Sequence, residues 1–491
     1  MAAGGGLKDR QPAGERPVSW VDLIDLGLDP DDRRPLFQQL HLALRDLIAR
    51  QVIPAGTRLP ATRILADRLG VSRTTVVAAY DQLQAEGVVA GRVGAGTYVA
   101  SGIEGRAAVP ETGARHPAET PVPEVWRLET TPFATGFCGM HPATERAWGR
   151  LVHRHLRGIG IRQRAYADPL GGRPLRQAIA EYLRVSRSVV CDAGRVALVS
   201  GSQQGLDLAL RLLVSAGDAA WIEDPCYPAA LDALRHHQLD VVPVPVDDQG
   251  FDVAAARALR PDARLVYCTP THHYPLGMAM SLGRRLALLD WARDGGWVIE
   301  DDYDSEYRFS GRPLSALQGL DAHDRVIYVG TLSKVMFPGL RVGYVVLPPA
   351  LVDRFAAVRH AADRFPATIL DDVLVDFINE GHFTRHIRRM RQDYGERREE
   401  LIAALMAEAG DDLAIAPVDR GMYLVADLRP GLSDHAVAEA ARRRGLVVRP
   451  LSSMYVAAPP RQALMLGFTG FPPKALVDAA RTLGAVLRGF R

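Results

Sequence analysis

Between Val196 and Val346 short apolar runs alternate with segments of helical spacing, and this alternation restricts the fold more than any other feature of the chain. The runs are Val196–Val199, Ala219–Ile222, Leu265–Cys268, Trp297–Ile299, Val326–Val329 and Val342–Val346, with helical segments such as Leu206–Val214 and Leu286–Ala292 between them. Continuous apolar runs, unlike alternating ones, suit strands covered on both faces. Strands separated by helices then predict an α/β unit built on a mostly parallel sheet.

The region before it has another texture. From Leu36 to Ile48 apolar residues recur at helical spacing (Leu36, Leu40, Leu44, Leu47, Ile48). Shorter helices are expected at 62–69 and 73–86, followed by a Gly-rich alternating stretch from Val88 to Val99 turned at Gly94–Gly96. Residues 101–125 carry Pro110, Pro117, Pro121 and Pro123 without an apolar period, so they read as a partly extended linker. The expected organisation is a mobile terminus at 1–20, a small domain at 21–100, the linker at 101–125 and a large domain at 126–491. No repeat of 20 to 50 residues is visible.

Composition narrows the function classes. The chain has 491 residues, 47% of them hydrophobic and 24% charged, as expected for globular domains with sizeable cores. Lys+Arg 59 against Asp+Glu 57 leaves a net charge of +2, too small to imply a polyanion partner by itself. No apolar stretch approaches the ~18 residues of a membrane span, and the first residues have no signal-peptide core. Cys138, Cys191, Cys226 and Cys268 lack metal-ligand spacing, so reduced thiols, a cytoplasmic location and no metal site are expected.

In the small domain, Ile64, Leu65 and Leu69 are expected on the apolar face of one helix. Gly70 makes a tight turn and Ser72 caps the next helix through its hydroxyl. Val76, Tyr80 and Leu83 share the inner face of that second helix, leaving Ser72, Arg73, Thr74 and Thr75 at its outward N-terminus. A helix in the major groove contacts bases with N-terminal residues, and arginine reads guanine edges. Arg92, on the following hairpin, is placed to meet phosphate. A small helical domain that binds protein, or nothing, would share the same pattern of apolar faces. Seven arginines against four acids over 36–100 do not decide the matter by charge. The spacing says more: Leu-Pro-x-x-Arg ending at Arg63, then Leu-Gly-Val-Ser-Arg-x-Thr-Val, then Glu-Gly and a Gly-rich hairpin. The segment resembles the GntR-type winged helix, which implies DNA contacts by Arg63, Ser72, Arg73, Thr74, Thr75 and Arg92.

The large domain is poor in lysine. The whole chain has only Lys8, Lys334 and Lys474, the last two in this domain, and Lys474 reads as a surface residue opening the terminal helix. Lys334 lies in VGTLSKVMFPGLRVGY, beside Thr331 and Ser333 and seven residues before Arg341. A primary amine is what an aldehyde cofactor needs for a Schiff base, and the hydroxyls with a guanidinium suit a phosphate dianion. In WVIEDDYDSEYR a strand delivers carboxylates to the sheet edge where α/β folds bind ligands. A carboxylate beside a pyridine nitrogen keeps that nitrogen protonated. Asp301 is the first choice, with Asp302 and Asp304 as competitors, and Tyr303 is placed for the ring's phenolic oxygen. The junction VALVSGSQQGLDLAL offers Ser202 and Gln203 at a helix N-terminus, which attracts phosphate. Tyr227 offers a ring for stacking and His272 a further cofactor contact, although a lone Tyr or His more often simply packs.

Together these motifs resemble the aspartate aminotransferase-like fold (fold type I) of pyridoxal phosphate enzymes. Joined to the winged helix, the chain is similar to the MocR family of bacterial regulators from about residue 36 onward, including YADPLGGRPLRQAIAEYL. The resemblance implies that Lys334 forms the Schiff base, Asp301 pairs with the pyridine nitrogen, Tyr303 meets the phenolic oxygen and Tyr227 stacks on the ring. Arg341, Thr331, Ser333 and Ser202 then hold the phosphate. Arg449 or Arg461 is expected to meet a ligand carboxylate, with neither preferred. Two positions depart from the family: Cys226, where glycine is common, and Ala229, where the GABA-responsive member has arginine.

The expected function is a transcription regulator that senses pyridoxal phosphate, or an amine or amino-acid effector, by transimination at Lys334. It is expected to act as a homodimer on operator DNA with paired half-sites, away from membranes. A working aminotransferase carrying a DNA-binding head is the alternative, and a scaffold that has lost its cofactor is a third reading.

Overall fold

The computed structural model describes residues 26, 28–29, 31–32, 34–92, 95–101, 130–158, 160–311, 313–416 and 419–491, without the side chains of 161 and 162. Contacts divide the chain into two units, Met1–Val122 and Pro123–Arg491. The expected mobile terminus, nearly all of the linker and the Gly94 turn lie outside the described residues.

In the first unit, α1 (Leu36–Ala49), α2 (Thr62–Leu69) and α3 (Arg73–Ala85) precede the antiparallel hairpin of β1 (Val89–Arg92) and β2 (Gly96–Val99). Leu40, Leu44, Leu65, Val76, Ala79 and Leu83 are fully buried together. Burial of each large aliphatic side chain contributes about 1.5–3 kcal/mol. Gly70 ends α2 at φ 64, a left-handed conformation that most side chains resist. Ser72 then caps α3, its Oγ accepting from Thr75 N at 3.1 Å. Ile64 departs from its expected place: it is 54% exposed. The buried stripe of α2 is Leu65 and Ala66, with Leu69 packed beside it. One residue is about 100° of helical turn, and that rotation carries Ile64 off the stripe.

The second unit is organised by an eight-stranded sheet. In chain order its strands are β3 (Val196–Val199), β4 (Ala219–Asp224), β5 (Asp240–Asp247), β6 (Gly250–Phe251), β7 (Leu265–Cys268), β8 (Trp297–Asp302), β9 (Val326–Thr331) and β10 (Gly343–Val346). Their spatial order is β3-β10-β9-β8-β7-β4-β5-β6. Pairing from β9 through β8, β7 and β4 to β5 is parallel, while β10 runs antiparallel to β3 and β9. Helix Ser202–Leu213 packs on one face with Leu206, Ala209 and Leu210 buried against Val199, Ile222 and Val329.

The strand β5 is absent from the sequence reading because Pro243 and Pro245 demote it. Both prolines have the same parity, so their missing donors point to one side. The other side forms the full ladder with β4, and β6 covers only Val246 and Asp247. A second sheet also went unforeseen: β11 (Leu413–Ile415), β12 (Tyr423–Leu428), β13 (Arg449–Pro450) and β14 (Ala463–Gly467), in the order β11-β12-β14-β13. Long helix His382–Ala409 and terminal helix Pro473–Arg488 share its core through Leu401, Leu405, Leu464, Leu466, Leu476 and Leu483. Among the described residues no helix is long and apolar enough to cross a membrane.

Candidate functional site

Parallel strands β7, β8 and β9 end at the same edge of the large sheet, and a cavity of about 270 Å³ opens there. Asp301 comes from the end of β8, while Thr331, Ser333 and Lys334 follow from β9. Ser202 and Gln203 open the helix Ser202–Leu213, whose N-terminus has no side-chain cap. Its first N–H groups and partial positive charge therefore remain available to an anion. Tyr227, Tyr303, Arg341 and Arg449 complete the set of expected residues in the lining.

The three neighbouring acids separate by their partners. Asp302 Oδ2 accepts from Arg187 Nε at 2.8 Å and Tyr328 Oη at 2.6 Å. Asp304 is held by His272 Nδ1 at 2.7 Å. Asp301 alone lines the cavity; Oδ2 accepts from Tyr267 Oη at 2.6 Å, and Oδ1 is buried without a hydrogen-bond partner. Burial pushes its pKa up to about 6, against the hydrogen bond from Tyr267, which favours the charged form.

Lys334 Nζ donates to Gly136 O at 3.4 Å. Gly136 sits at φ 89, a left-handed conformation that favours glycine, and a Cβ there would meet Nζ. Ser333 Oγ, like Asp301 Oδ1 in the same lining, is buried without a hydrogen-bond partner. Arg341 Nη2 donates to Ser200 O at 2.7 Å. One carboxylate among Lys334, Arg341 and Arg449 leaves the lining positive, which suits an anionic ligand.

Two expected contacts lie elsewhere. His272 is not in the lining; it is buried behind Tyr303, its ring 5.6 Å from that phenol and tilted by 26°. Arg461 turns away to Asp427, with Nη2 and Nε at 2.6 and 2.8 Å from the carboxylate oxygens. Arg449 lines the cavity, and its Nη1 donates to Tyr274 Oη at 3.4 Å. The Cys226 thiol is buried in the core beside the sheet and does not reach the lining; burial pushes its pKa up to about 12.

In the first unit Arg63, Ser72, Arg73, Thr74 and Arg92 are exposed, and Thr75 is partly so. Ser72 Oγ lies 2.7 Å from Thr74 Oγ1 and 2.8 Å from Thr75 Oγ1, an interlocked cap that leaves Arg73 projecting. The guanidinium of Arg92 stands over the Tyr98 ring at 4.7 Å.

Several lining residues escaped the sequence reading: Thr135, Gly136, Tyr267, Thr269, Tyr274, Met422 and Tyr423. Tyr267 carries a usable signal, since it lies near the end of the apolar run Leu265–Cys268, at the edge where α/β sheets bind ligands. Met422 and Tyr423 carry none, because they lie just before and at the start of β12, outside the alternating apolar runs of 196–346.

Comparisons with known proteins agree with this geometry. Residues 36–99 match the family described as "Bacterial regulatory proteins, gntR family", and residues 151–469 match "Aminotransferase class I and II". A Rhizobium meliloti protein named "Probable rhizopine catabolism regulatory protein MocR" is 40% identical, covering 93% of this chain and 95% of that protein. The chain belongs to the MocR-type regulators of the GntR family. The pyridoxine biosynthesis regulator PdxR of Corynebacterium glutamicum is another relative, 30% identical over 91% of this chain and 94% of its own length. The crystal structure of Pyrococcus horikoshii kynurenine aminotransferase with PMP aligns at TM-score 0.67 and 25% identity, covering 74% of this chain and 92% of that one. As a MocR-type protein the chain is a DNA-binding transcription regulator whose large α/β unit has the fold type I aminotransferase architecture and takes pyridoxal phosphate. Its residues fit that cofactor: an amine, an unpartnered buried carboxylate oxygen, an unpartnered buried hydroxyl and an uncapped helix N-terminus face one cavity.

Proposed function

We propose that this regulator works in the cytoplasm as a homodimer on paired operator half-sites, and that its cofactor cavity senses pyridoxal phosphate or a small amine-bearing effector. The observation that carries this reading is the convergence of Lys334, Asp301, Tyr303 and Arg341 on one cavity in a chain that also has a winged helix. Pyridoxal phosphate, when bound, supplies an aldehyde that exchanges between primary amines, here that of Lys334 and that of an incoming ligand.

The remaining roles belong to the protein. Asp301 holds a proton on the pyridine nitrogen by placing a negative charge beside it. Tyr303 donates to the phenolic oxygen and Tyr227 offers its ring face. Thr331, Ser333, Arg341 and the N–H groups at Ser202 and Gln203 receive the phosphate. Arg449 forms no ion pair among the described residues, so it is the group for an effector carboxylate. An effector shifts the regulator only through unequal affinity for its two states. Ala229 places a methyl where the GABA-responsive member has a guanidinium, which argues against that ligand.

Borohydride reduction followed by digestion and mass analysis tests the assignment. A pyridoxyl mass on the peptide containing Lys334 is expected, and its absence there overturns the site. The same cavity residues would also serve transamination. Turnover of amino and keto acids at about 1–10³ per second would mark a working aminotransferase, while a ligand-induced spectral change without turnover marks the sensor.

A further inference from the structure

His272 and Asp304 are 4% and 1% exposed, yet neither lines the cavity. Both Asp304 carboxylate oxygens lie near His272 Nδ1, at 2.7 and 2.9 Å. A carboxylate only accepts, so this contact places the imidazole hydrogen on Nδ1. Tyr303 Oη stands 3.1 Å from the same nitrogen. A protonated Nδ1 has no lone pair to offer, so the phenol cannot donate to it; the phenol oxygen accepts, and its own hydrogen must point elsewhere. Two directions remain, the Tyr423 hydroxyl at 3.2 Å and the cavity. The imidazole also has little freedom to turn. It lies nearly parallel to the Tyr303 and Tyr423 rings, tilted by 26° and 24°. Gly421, at φ 92, closes its Cε1–Nε2 edge so tightly that a Cβ there would collide with the ring.

We propose that Asp304 and His272 are a positioning pair that keeps Tyr303 a hydrogen-bond donor toward an anionic oxygen in the cavity. This rests on the reading of the cavity as the pyridoxal phosphate site, where that oxygen is the cofactor's phenolic one. Asp304 fixes the tautomer, His272 transmits it, and Tyr303 alone touches the ligand.

Asp304→Asn tests the tautomer with almost no change of shape. The substitution removes the carboxylate that holds the imidazole hydrogen on Nδ1; with that hydrogen on Nε2 the Nδ1 lone pair is open to Tyr303, which then donates backwards to His272. The full-length protein is loaded with pyridoxal phosphate, and the cofactor's dissociation constant and visible absorption band are measured. Tyr303→Phe is expected to raise the dissociation constant about tenfold through loss of a charge-assisted bond. Asp304→Asn should match it in affinity and band position, and adding Asp304→Asn to Tyr303→Phe should cost less than about twofold more. His272→Asn, whose amide nitrogen stands near the place of Nδ1, should recover most of the affinity that His272→Ala loses. Effects that multiply in the double variant, or an unchanged Asp304→Asn protein, overturn the pair. Wild-type protein with no visible band, indistinguishable from Lys334→Ala, overturns the cofactor-site reading itself, and the proposal with it.

Discussion

The Tyr267 hydroxyl donates to Oδ2 of Asp301 at 2.6 Å, while Oδ1 of the same carboxylate is buried and unpartnered. One oxygen is thus anchored from the neighbouring strand and the other is kept for a ligand. Asp301→Asn preserves the shape but removes the charge. It should weaken pyridoxal phosphate retention at least tenfold in equilibrium dialysis, and retention equal to wild type would remove Asp301 from the site.

Three buried carboxyl groups contribute a stability that falls as pH rises through the weakly acidic and neutral range. Burial pushes Asp301 up to about 6, Glu300 to about 7 and Glu223 to about 8. A carboxyl group whose folded pKa exceeds its unfolded value binds protons more tightly in the folded state between those two values. Stability is therefore greatest below about pH 4 for these groups and declines until the folded pKa is passed. Glu223 accepts from Thr269 N at 3.0 Å and Thr269 Oγ1 at 2.7 Å, contacts that a glutamine oxygen also satisfies. Glu223→Gln should raise the Tm of the cofactor-free protein at pH 8 relative to wild type and flatten its pH dependence between 5 and 8. A Tm gap independent of pH would contradict this.

Arg449 and Arg461 should behave differently. Arg449→Ala is expected to weaken the spectral response to amino acids about tenfold or more, while leaving the response to simple amines within about twofold. Arg461→Ala removes only a half-exposed pair with Asp427, worth about 0–1 kcal/mol, and should leave both titrations unaltered. Equal responses of the two variants would separate Arg449 from carboxylate recognition.

Arg73 projects from the N-terminus of α3. Arg73→Ala should weaken operator binding by about 1–3 kcal/mol if it reads a base edge. The control is random-sequence DNA at the same salt concentration. An equal loss on both would make Arg73 a phosphate contact.

Adjacent residues of α2 should differ sharply in their contribution to stability. Leu65 is fully buried and Ile64 is 54% exposed. Leu65→Ala should destabilise the winged helix by about 2–5 kcal/mol through transfer and cavity costs. Ile64→Ala should stay within about 0.5 kcal/mol. Hydrogen exchange across residues 36–99 reads both, and a reversed order would place Ile64 in the core after all.

What the amino-acid order settled by itself was everything carried by local period and local chemistry. Helix spacing, the Ser72 cap and the Gly70 turn define the winged helix within about sixty residues. Apolar runs and their intervening helices define the parallel sheet, and a chain with three lysines exposes Lys334 by elimination. Tertiary structure decided what depends on residues far apart in the chain. It selected Asp301 over Asp302 and Asp304, because Arg187, Tyr328 and His272 occupy the other two carboxylates. It brought Arg449 rather than Arg461 to the cavity, and moved His272 from cofactor contact to a place behind Tyr303. It also joined Tyr274, Met422 and Tyr423 to the cavity that holds Lys334 and Asp301. Period reports which side of one helix or strand is buried, whereas the partner of a buried polar atom is set by which strand ends the fold brings together.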